Sequence, residues 1–370
     1  MKVGIVGGGI GGLLTGVKVS GLCDVDVFEE HHLVGYPKHC TGLISGKVLN
    51  FLGCGAGEFV LNTFNNYTLT HTSIPNRELR LKFRDTISLV DRPNIERYLS
   101  DVFQSRGGSL YLSLKAVAID ASNTCLIFED GTIRKYDLIV VAEGAKAALT
   151  KSLGMCSNST YLVGMQSIIR ANNDLDSPHV IFGCDISYEF FGWVVPIDSK
   201  QVLVGLADRY VDYPKLNYLI KSYLSRRLGI NDLVVKEVFG GLIPTSTPCR
   251  QALRNIIGVG DAVFVTKPIS GGGIYSITNQ VRVLEESLRR GGTDYASKMY
   301  LRGLLNLLTT LKIQHLLRNL VINKFGSLSN FVMKLIESEV NEVTLLDYDK
   351  YILNPLDLNN LLKSLRALLT

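Results

Sequence analysis

The chain has 370 residues, of which 46% are hydrophobic and 20% are charged, and it carries a formal net charge of +5. This length predicts two interleaved domains, and the mild, dispersed charge does not indicate nucleic-acid binding. No apolar run approaches the ~18 residues of a transmembrane helix, and glycines interrupt the N-terminal apolar run before it could act as a signal peptide. We therefore expect a cytoplasmic protein.

The first predicted unit is a strand, a glycine turn, a helix and a second strand. The strand covers residues 2–6, and Gly7, Gly9 and Gly12 follow with the spacing G-x-G-x-x-G. This spacing lets a backbone turn and a helix N-terminus approach a diphosphate. Glu29 ends the second strand, where a carboxylate binds ribose hydroxyls and disfavours a 2′-phosphate. The unit predicts FAD or NAD rather than NADP.

Seven cysteines are scattered along the chain with no C-x-x-C pair. Their spacing predicts neither a metal site nor a disulfide framework. We expect Cys23 and Cys54 to be buried thiols without a chemical role.

A second glycine-rich turn favours FAD over NAD. A strand at residues 255–259 leads to Asp261, and three glycines at 271–273 open a long helix that is predicted to end near Gly291. Three glycines allow a planar ligand to lie against the backbone. The helix N-terminus can stabilise negative charge there, as on the N1–C2=O edge of a reduced flavin.

The predicted secondary structure changes in the region between these turns. Residues 155–247 contain short apolar runs bounded by turn residues, which predicts an antiparallel sheet. One run, SYEFFGWVVP, carries Phe190, Phe191 and Trp193. Core packing and the binding of an apolar chain both explain such an aromatic group. The Leu-rich residues 293–370 predict helices packed on the body, or one helix with an apolar face toward a membrane surface or a lipid.

The predicted fold class is α/β, with a Rossmann-type FAD-binding domain, an antiparallel β-sheet substrate domain and a C-terminal helical segment. The predicted boundaries are residues 1–60, 88–154 and 248–292 for the FAD-binding domain, 61–87 and 155–247 for the substrate domain, and 293–370 for the C-terminal helical region.

Several stretches resemble a known group of flavoproteins. The G-x-G-x-x-G turn with Glu29, DRPNIERYL (91–99), YDLIVVAEG (136–144) and GVGDAVFVTKPISGGGI (258–274) resemble FAD-dependent proteins related to aromatic hydroxylases. Within that group, GYPKHCTGLIS (35–45) is similar to the P-x-x-C-G segment of the geranylgeranyl reductase family, with Thr41 in place of glycine. FGWVVP (191–196) is similar to the family's Y-x-W-x-F-P motif, with Phe191 and Val195 at the altered positions.

The resemblance implies roles for the cofactor-binding residues. Arg92 would lie near the diphosphate. An arginine at this position is explained equally well by pairing with Asp91 or Glu96 at the start of a helix. Asp261 would bind the ribitol or a ribose hydroxyl, with a turn cap as the alternative. The isoalloxazine would be lined by Gly271, Gly272, Gly273 and Ile274.

The resemblance also implies an activity, the FAD-dependent saturation of C=C bonds in a geranylgeranyl-type prenyl chain during isoprenoid or membrane-lipid biosynthesis. The same fold supports two alternatives, a flavin monooxygenase of an aromatic or lipid substrate and an electron-transfer flavoprotein. The external electron donor is either NAD(P)H or ferredoxin. The candidate partners are the prenyl lipid, ferredoxin and a membrane surface.

An unactivated alkene requires a proton donor as well as a hydride donor. Cys40 is the first candidate for a group near the reaction, with the Phe190, Phe191 and Trp193 side chains as candidate substrate contacts. The neighbouring Lys38 and His39 favour a thiolate, which accepts rather than donates a proton. Cys40 is therefore also a candidate for shaping the pocket, or for relaying protons with His39 or Tyr188.

Overall fold

The computed structural model describes residues 1–157, 159–337, 342–345 and 347–349. The strands are β1 (Lys2–Val6), β2 (Asp24–Phe28), β3 (Leu43–Ser45), β4 (Val60–His71), β5 (Ile74–Val90), β6 (Ser109–Tyr111), β7 (Ala116–Asp120), β8 (Cys125–Phe128), β9 (Ile133–Lys135), β10 (Leu138–Val141), β11 (Tyr161–Arg170), β12 (His179–Gly183), β13 (Ser187–Asp198), β14 (Gln201–Asp208), β15 (Val234–Pro244), β16 (Ala252–Leu253), β17 (Ile256–Gly258) and β18 (Glu342–Leu345). The helices are α1 (Ile10–Val19), α2 (Gly46–Leu52), α3 (Arg92–Ser105), α4 (Ala148–Ser152), α5 (Tyr213–Leu219), α6 (Ile274–Gly303), α7 (Leu305–Phe325) and α8 (Leu328–Glu337).

The first sheet has six strands in the order β16, β17, β10, β1, β2, β6. Strand β1 pairs in parallel with both β2 and β10, and all four residues of β10 are buried. Helices α1, α3 and α6 pack together beside it. A parallel sheet with buried apolar strands is the core of a Rossmann-type unit, so this part of the predicted fold class is confirmed.

The second sheet has nine strands. Its main path runs β15, β11, β14, β13, β12, β4, β5, β18, and β3 pairs with β5. Strand β11 is antiparallel to β14 and β15, and β13 is antiparallel to β12 and β14. The antiparallel sheet predicted from residues 155–247 is therefore present. Strands β7, β8 and β9 form a separate three-stranded sheet.

Helix α6 does not stop where the sequence predicted. Gly292 has φ 60° and ψ −158°, which interrupts the helix next to the predicted end, but helical backbone then resumes as far as Gly303. The resumed segment is held by packing, because Ala296 and Tyr300 are fully buried. The Tyr300 hydroxyl also donates a hydrogen bond to the Gly258 carbonyl at 2.8 Å. Tertiary packing therefore extends the helix past its local stop signals.

The C-terminal region contains the predicted helices and one strand that was not predicted. Helix α8 buries Leu328, Val332, Leu335 and Ile336 against the large sheet. Strand β18 pairs in parallel with β5 at the edge of that sheet, which corrects the expectation of helices alone. Residues 350–370 of the predicted region lie outside the described residues. Within the described ranges, no helix has both the length and the apolar composition needed to cross a membrane.

The cysteines differ from expectation at two places. Cys156 and Cys249 form a disulfide, although the sequence predicted no disulfide framework. Their separation of 93 residues is closed by the fold, which a spacing argument does not detect. Cys54 is exposed rather than buried. Cys23 is buried as predicted, and burial raises the pKa of its thiol to about 11.

Candidate functional site

The three glycines of the G-x-G-x-x-G motif, two in the turn between β1 and α1 and one in α1, have different surroundings. Gly7 has a φ of +102°, and a Cβ there would lie 2.3 Å from the Ala142 carbonyl oxygen. A Cβ on Gly12 would lie 1.8 Å from the Gly7 carbonyl oxygen. A Cβ on Gly9 would meet no atom within 4 Å. Gly7 and Gly12 are therefore required for packing, whereas Gly9 leaves space in which a diphosphate can approach the backbone.

Glu29 follows β2 directly and is buried beside the same turn. Its carboxylate accepts hydrogen bonds from the Gly8 N–H at 2.6 Å and from the His31 N–H at 2.9 Å. In this fold an acidic side chain at the end of the second strand binds the adenosine ribose. The position of Glu29 suits that end of a dinucleotide.

Arg92 begins α3 and is buried next to the N-terminus of α1. Its Nη2 donates a hydrogen bond to the Glu96 carboxylate, which also accepts one from the Ile10 N–H at 3.1 Å. Burial opposes the charge, but Glu96 and Cys40 raise the pKa of the Arg92 guanidinium above its usual value. Within the described chain, its buried Nε has no hydrogen-bond partner. A buried N–H without a partner is costly, and an anionic ligand would satisfy it.

The segment around Cys40 lies between Arg92 and the large sheet. Cys40 is partly buried and interacts electrostatically with Arg92. The Thr41 hydroxyl donates to Gln166 Oε1 at 3.0 Å, and the Trp193 indole N–H donates to the same oxygen at 3.3 Å. The Gln166 amide also donates to the His39 carbonyl at 3.5 Å. Gln166, which the sequence analysis missed, therefore joins the Cys40 segment to the aromatic strand β13.

Phe190, Phe191 and Trp193 of β13 line one cavity together. The Phe190 and Phe191 rings stack with centroids 4.0 Å apart, and Trp193 meets Phe191 edge-on at 6.2 Å. A Cβ on Gly205 would lie 2.5 Å from the Trp193 ring, so glycine is needed there for the indole to pack. This arrangement presents a continuous apolar wall.

Tyr188 is placed differently from the other candidate catalytic residues. It lies on β13, is 59% exposed, and is not among the residues that line the cavity. Its backbone N–H donates to Asp208 at 3.0 Å. The structure brings Cys40 and His39 to the cavity and leaves Tyr188 outside it.

The second glycine turn leads from β17 into α6. Asp261 accepts a hydrogen bond from the Thr266 hydroxyl at 2.7 Å. Burial raises the pKa of Asp261, an effect that Thr266, His39 and Arg92 partly offset. Gly273 precedes the first residue of α6 and provides no side-chain cap. The N-terminus of α6 therefore keeps backbone N–H groups for a ligand.

One cavity of ≈ 460 Å³ connects these features. One end is lined by Gly9, Arg92, Asp261 and the glycines at 271–273. The other end, here called the apolar chamber, lies between the large sheet and α8. Its walls include Leu69, Leu81, Phe83, Phe182, Leu335 and Val343. The C-terminal region, to which the sequence analysis assigned no site residue, closes the chamber.

Lys267 is a further residue that the sequence analysis missed. It lines the same cavity, is 5% exposed, and lies beside the glycine turn. A Cβ on Gly272 would lie 3.1 Å from its Cε. A lysine in the otherwise apolar stretch VFVTKPI is a signal that could have identified it.

The residues of the polar end fit FAD. Gly9 faces open space, Arg92 has an unpartnered buried N–H among the described residues, and the N-terminus of α6 is uncapped by any side chain. These are the groups that a dinucleotide cofactor requires. Together with the Rossmann-type sheet and the large second sheet, they define an FAD-dependent oxidoreductase.

Comparison with known proteins narrows this class. No family model matches the chain. An uncharacterized protein of Methanocaldococcus jannaschii is 28% identical over 295 residues, which cover 73% of this chain and 70% of that protein. Digeranylgeranylglycerophospholipid reductase 2 of Methanothermobacter thermautotrophicus is 21% identical over 76% of each chain. The chloroplastic geranylgeranyl diphosphate reductase of Nicotiana tabacum is 24% identical, over 57% of this chain and 49% of that enzyme.

Solved structures support the fold. A geranylgeranyl bacteriochlorophyll reductase-like protein of Thermoplasma acidophilum has a TM-score of 0.80 at 17% identity, covering 98% of this chain and 95% of that one. A halogenase crystallised with FAD has a TM-score of 0.70 at 12% identity, covering 91% and 79%. The chain therefore has homologues named geranylgeranyl diphosphate reductase and digeranylgeranylglycerophospholipid reductase, which confirms the resemblance found in its motifs.

Proposed function

We propose that this protein is an FAD-dependent reductase that saturates isolated C=C bonds of a prenyl chain of the geranylgeranyl type. The observation that carries the proposal is one cavity in which the polar end, whose residues fit a dinucleotide, opens into the apolar chamber. A long hydrocarbon chain gains about 0.8 kcal/mol for each CH₂ group that leaves water. The names of the homologous reductases agree with such a substrate.

The proposed roles divide between the two ends of the cavity. Gly7, Gly9 and Gly12 with Arg92 would hold the diphosphate, and Glu29 the adenosine ribose. Asp261 and residues 271–274 would hold the ribitol and the isoalloxazine. The cofactor supplies hydride when bound and reduced. The apolar chamber orients the substrate chain and excludes water from it.

Cys40 is the proposed group nearest to the proton-transfer step. Cys40 lines the cavity and belongs to the segment that Gln166 joins to Trp193. Arg92 lies beside it and carries a firmly held positive charge. His39 lines the same cavity, and its side chain is exposed to solvent, with which it can exchange protons. We therefore assign Cys40 and His39, ahead of Tyr188, to the proton relay.

The first experiment tests the reaction. Purified protein carrying FAD is reduced anaerobically with dithionite, and a geranylgeranyl lipid is added. We expect reoxidation of the flavin absorbance, together with a gain in lipid mass by pairs of hydrogens. Failure of both signals would rule out the reductase. Oxygen consumption that depends on the lipid and on NAD(P)H would indicate a monooxygenase instead.

The second experiment tests Cys40. We expect Cys40→Ala to retain FAD and the folded state but to lose turnover by at least about 100-fold, as for loss of a proton-transfer group. Cys184→Ala is the matched control, because Cys184 is an exposed thiol that does not line the cavity. Full turnover by Cys40→Ala would remove this thiol from the mechanism.

A further inference from the structure

A buried ion pair lines the cavity. Lys267 Nζ is 3.8 Å from the Asp349 carboxylate, and both residues line the cavity. Their side chains are 7% and 3% exposed. The lysine comes from the second glycine turn, and the aspartate follows β18 in the C-terminal region. The pair therefore joins two parts of the chain that are distant in sequence.

Further contacts surround Asp349 and its chain neighbour Tyr348. The Ser45 hydroxyl donates to its Oδ2 at 2.6 Å. The neighbouring Tyr348 hydroxyl accepts from Tyr67 at 2.9 Å, and the Lys267 ammonium lies 5.1 Å from the Tyr348 ring centroid. Ser45 thus holds the carboxylate and Tyr348 lies against the lysine, while a Cβ on Gly272 of the glycine turn would lie 3.7 Å from the lysine Nζ.

Burying two charges in a largely apolar cavity is seldom the most stable arrangement. Apolar residues of the same size often give equal or greater stability, because each ion loses its hydration. Charged groups kept at such a cost are concentrated at functional sites. Neither the binding of the diphosphate nor the binding of a hydrocarbon chain requires a lysine at position 267.

We propose that Lys267 supplies positive charge to the flavin end of the cavity and that Asp349 holds it there, so that the pair sets the reduction potential of bound FAD. The inference rests on the proposed placement of FAD along residues 271–274. A reduced flavin carries more negative charge than an oxidised one. A fixed cation next to the glycine turn therefore stabilises the reduced form, in addition to the N-terminus of α6.

Asp349 acts in this proposal as a positioning residue. The pKa of Lys267 is lowered, because the effect of burial exceeds the opposite effects of Asp349 and Asp347. The pKa of Asp349 is raised by burial and by Asp347, and Lys267, Ser45 and Lys47 offset this only in part. Among the described residues, Asp347 and Lys47 are the further charged groups that act electrostatically on the pair. Removal of the Asp349 charge should let the lysine lose its proton at a lower pH.

The test measures the midpoint potential of bound FAD by dye-coupled reductive titration without any lipid substrate. We expect Lys267→Met to lower the midpoint potential by at least about 30 mV, which for a two-electron couple is a tenfold shift of the equilibrium toward oxidised FAD. The midpoint potential of Lys267→Arg should stay near the wild-type value. Lys200→Met, on the exposed surface, is the matched control and should not shift.

The pH profile tests the role of Asp349. The potential of Asp349→Asn should be at least that of the wild type at low pH and should fall toward that of Lys267→Met as the pH rises. An unchanged potential in FAD-bound Lys267→Met would overturn the proposal. Loss of FAD from both Lys267→Met and Lys267→Arg would also overturn the proposal, because such a loss would indicate that Lys267 has a packing role. Loss of FAD from Lys267→Met alone would support the proposal. Lipid is absent throughout, so a failed reductase assay leaves this result intact.

Discussion

The two ends of the cavity are built in different ways. The polar end is made of short local motifs, in which the backbone at Gly9 before α1 and the N-terminus of α6 are open to a ligand. The apolar chamber is made of side chains from the large sheet and α8, which meet only after the chain has folded. A change at the polar end should therefore act on the cofactor, and a change in the chamber should act on stability and on the substrate.

The largest expected effect comes from the first glycine turn. Gly12→Ala places a Cβ 1.8 Å from a backbone oxygen, so α1 must move away from β1. We expect a loss of about 3 kcal/mol in the free energy of unfolding, together with loss of FAD. Denaturant unfolding and the flavin absorbance of the purified protein measure the two quantities.

Gly9→Ala separates cofactor binding from folding. The new methyl group meets no protein atom within 4 Å, so the free energy of unfolding without FAD should stay within about 0.5 kcal/mol of the wild type. It would occupy the space proposed for the diphosphate, so FAD affinity should fall at least about tenfold. Unchanged FAD affinity in Gly9→Ala would show that the diphosphate lies elsewhere.

The same difference explains what the sequence could predict. Gly7, Gly9, Gly12 and Glu29 stand within one strand-turn-helix-strand unit, so their spacing carries the information. Strand β1 is found at the predicted residues.

The missed residues depend on contacts over long sequence distances. Thr41 and Gln166 are 125 residues apart, and Ser45 and Asp349 are 304 apart. A sequence pattern of one chain does not record which strand or turn supplies such a partner. Strand β18 was missed for the same reason, because its four residues form a strand only by pairing with β5.

A smaller effect is expected in the apolar chamber. Leu335 on α8 is 6% exposed and packs against the large sheet. Leu335→Ala should lower the free energy of unfolding by about 2.5 kcal/mol through lost burial and a residual cavity, with FAD affinity unchanged. Leu320→Ala on α7 is the matched control, since Leu320 is 54% exposed, and should change stability by less than about 0.5 kcal/mol. Loss of FAD in Leu335→Ala would contradict the separation of the two ends.

The smallest effect concerns a histidine in the cavity lining. His179 lies on β12 and its Nδ1 is 2.9 Å from the Tyr223 hydroxyl. Burial and the nearby Arg227 lower the pKa of His179 to about 4. The unfolded chain, with a pKa near 6.5, therefore binds this proton first as the pH falls. The stability contributed by neutral His179 is complete above pH ~6.5 and is lost between there and about pH 4.

This loss should be visible as a difference between two proteins. Between pH 7.5 and 5.5 the wild type should lose about 1.4 kcal/mol of unfolding free energy that His179→Asn does not lose, because one pKa unit corresponds to that amount. Denaturant unfolding at both pH values measures it, with the exposed His32→Asn as the control for removing a histidine. Parallel pH profiles for wild type and His179→Asn would mean that the chamber wall accepts the charged imidazolium. The chamber would then resemble the polar end, where the Arg92 guanidinium is buried beside Glu96.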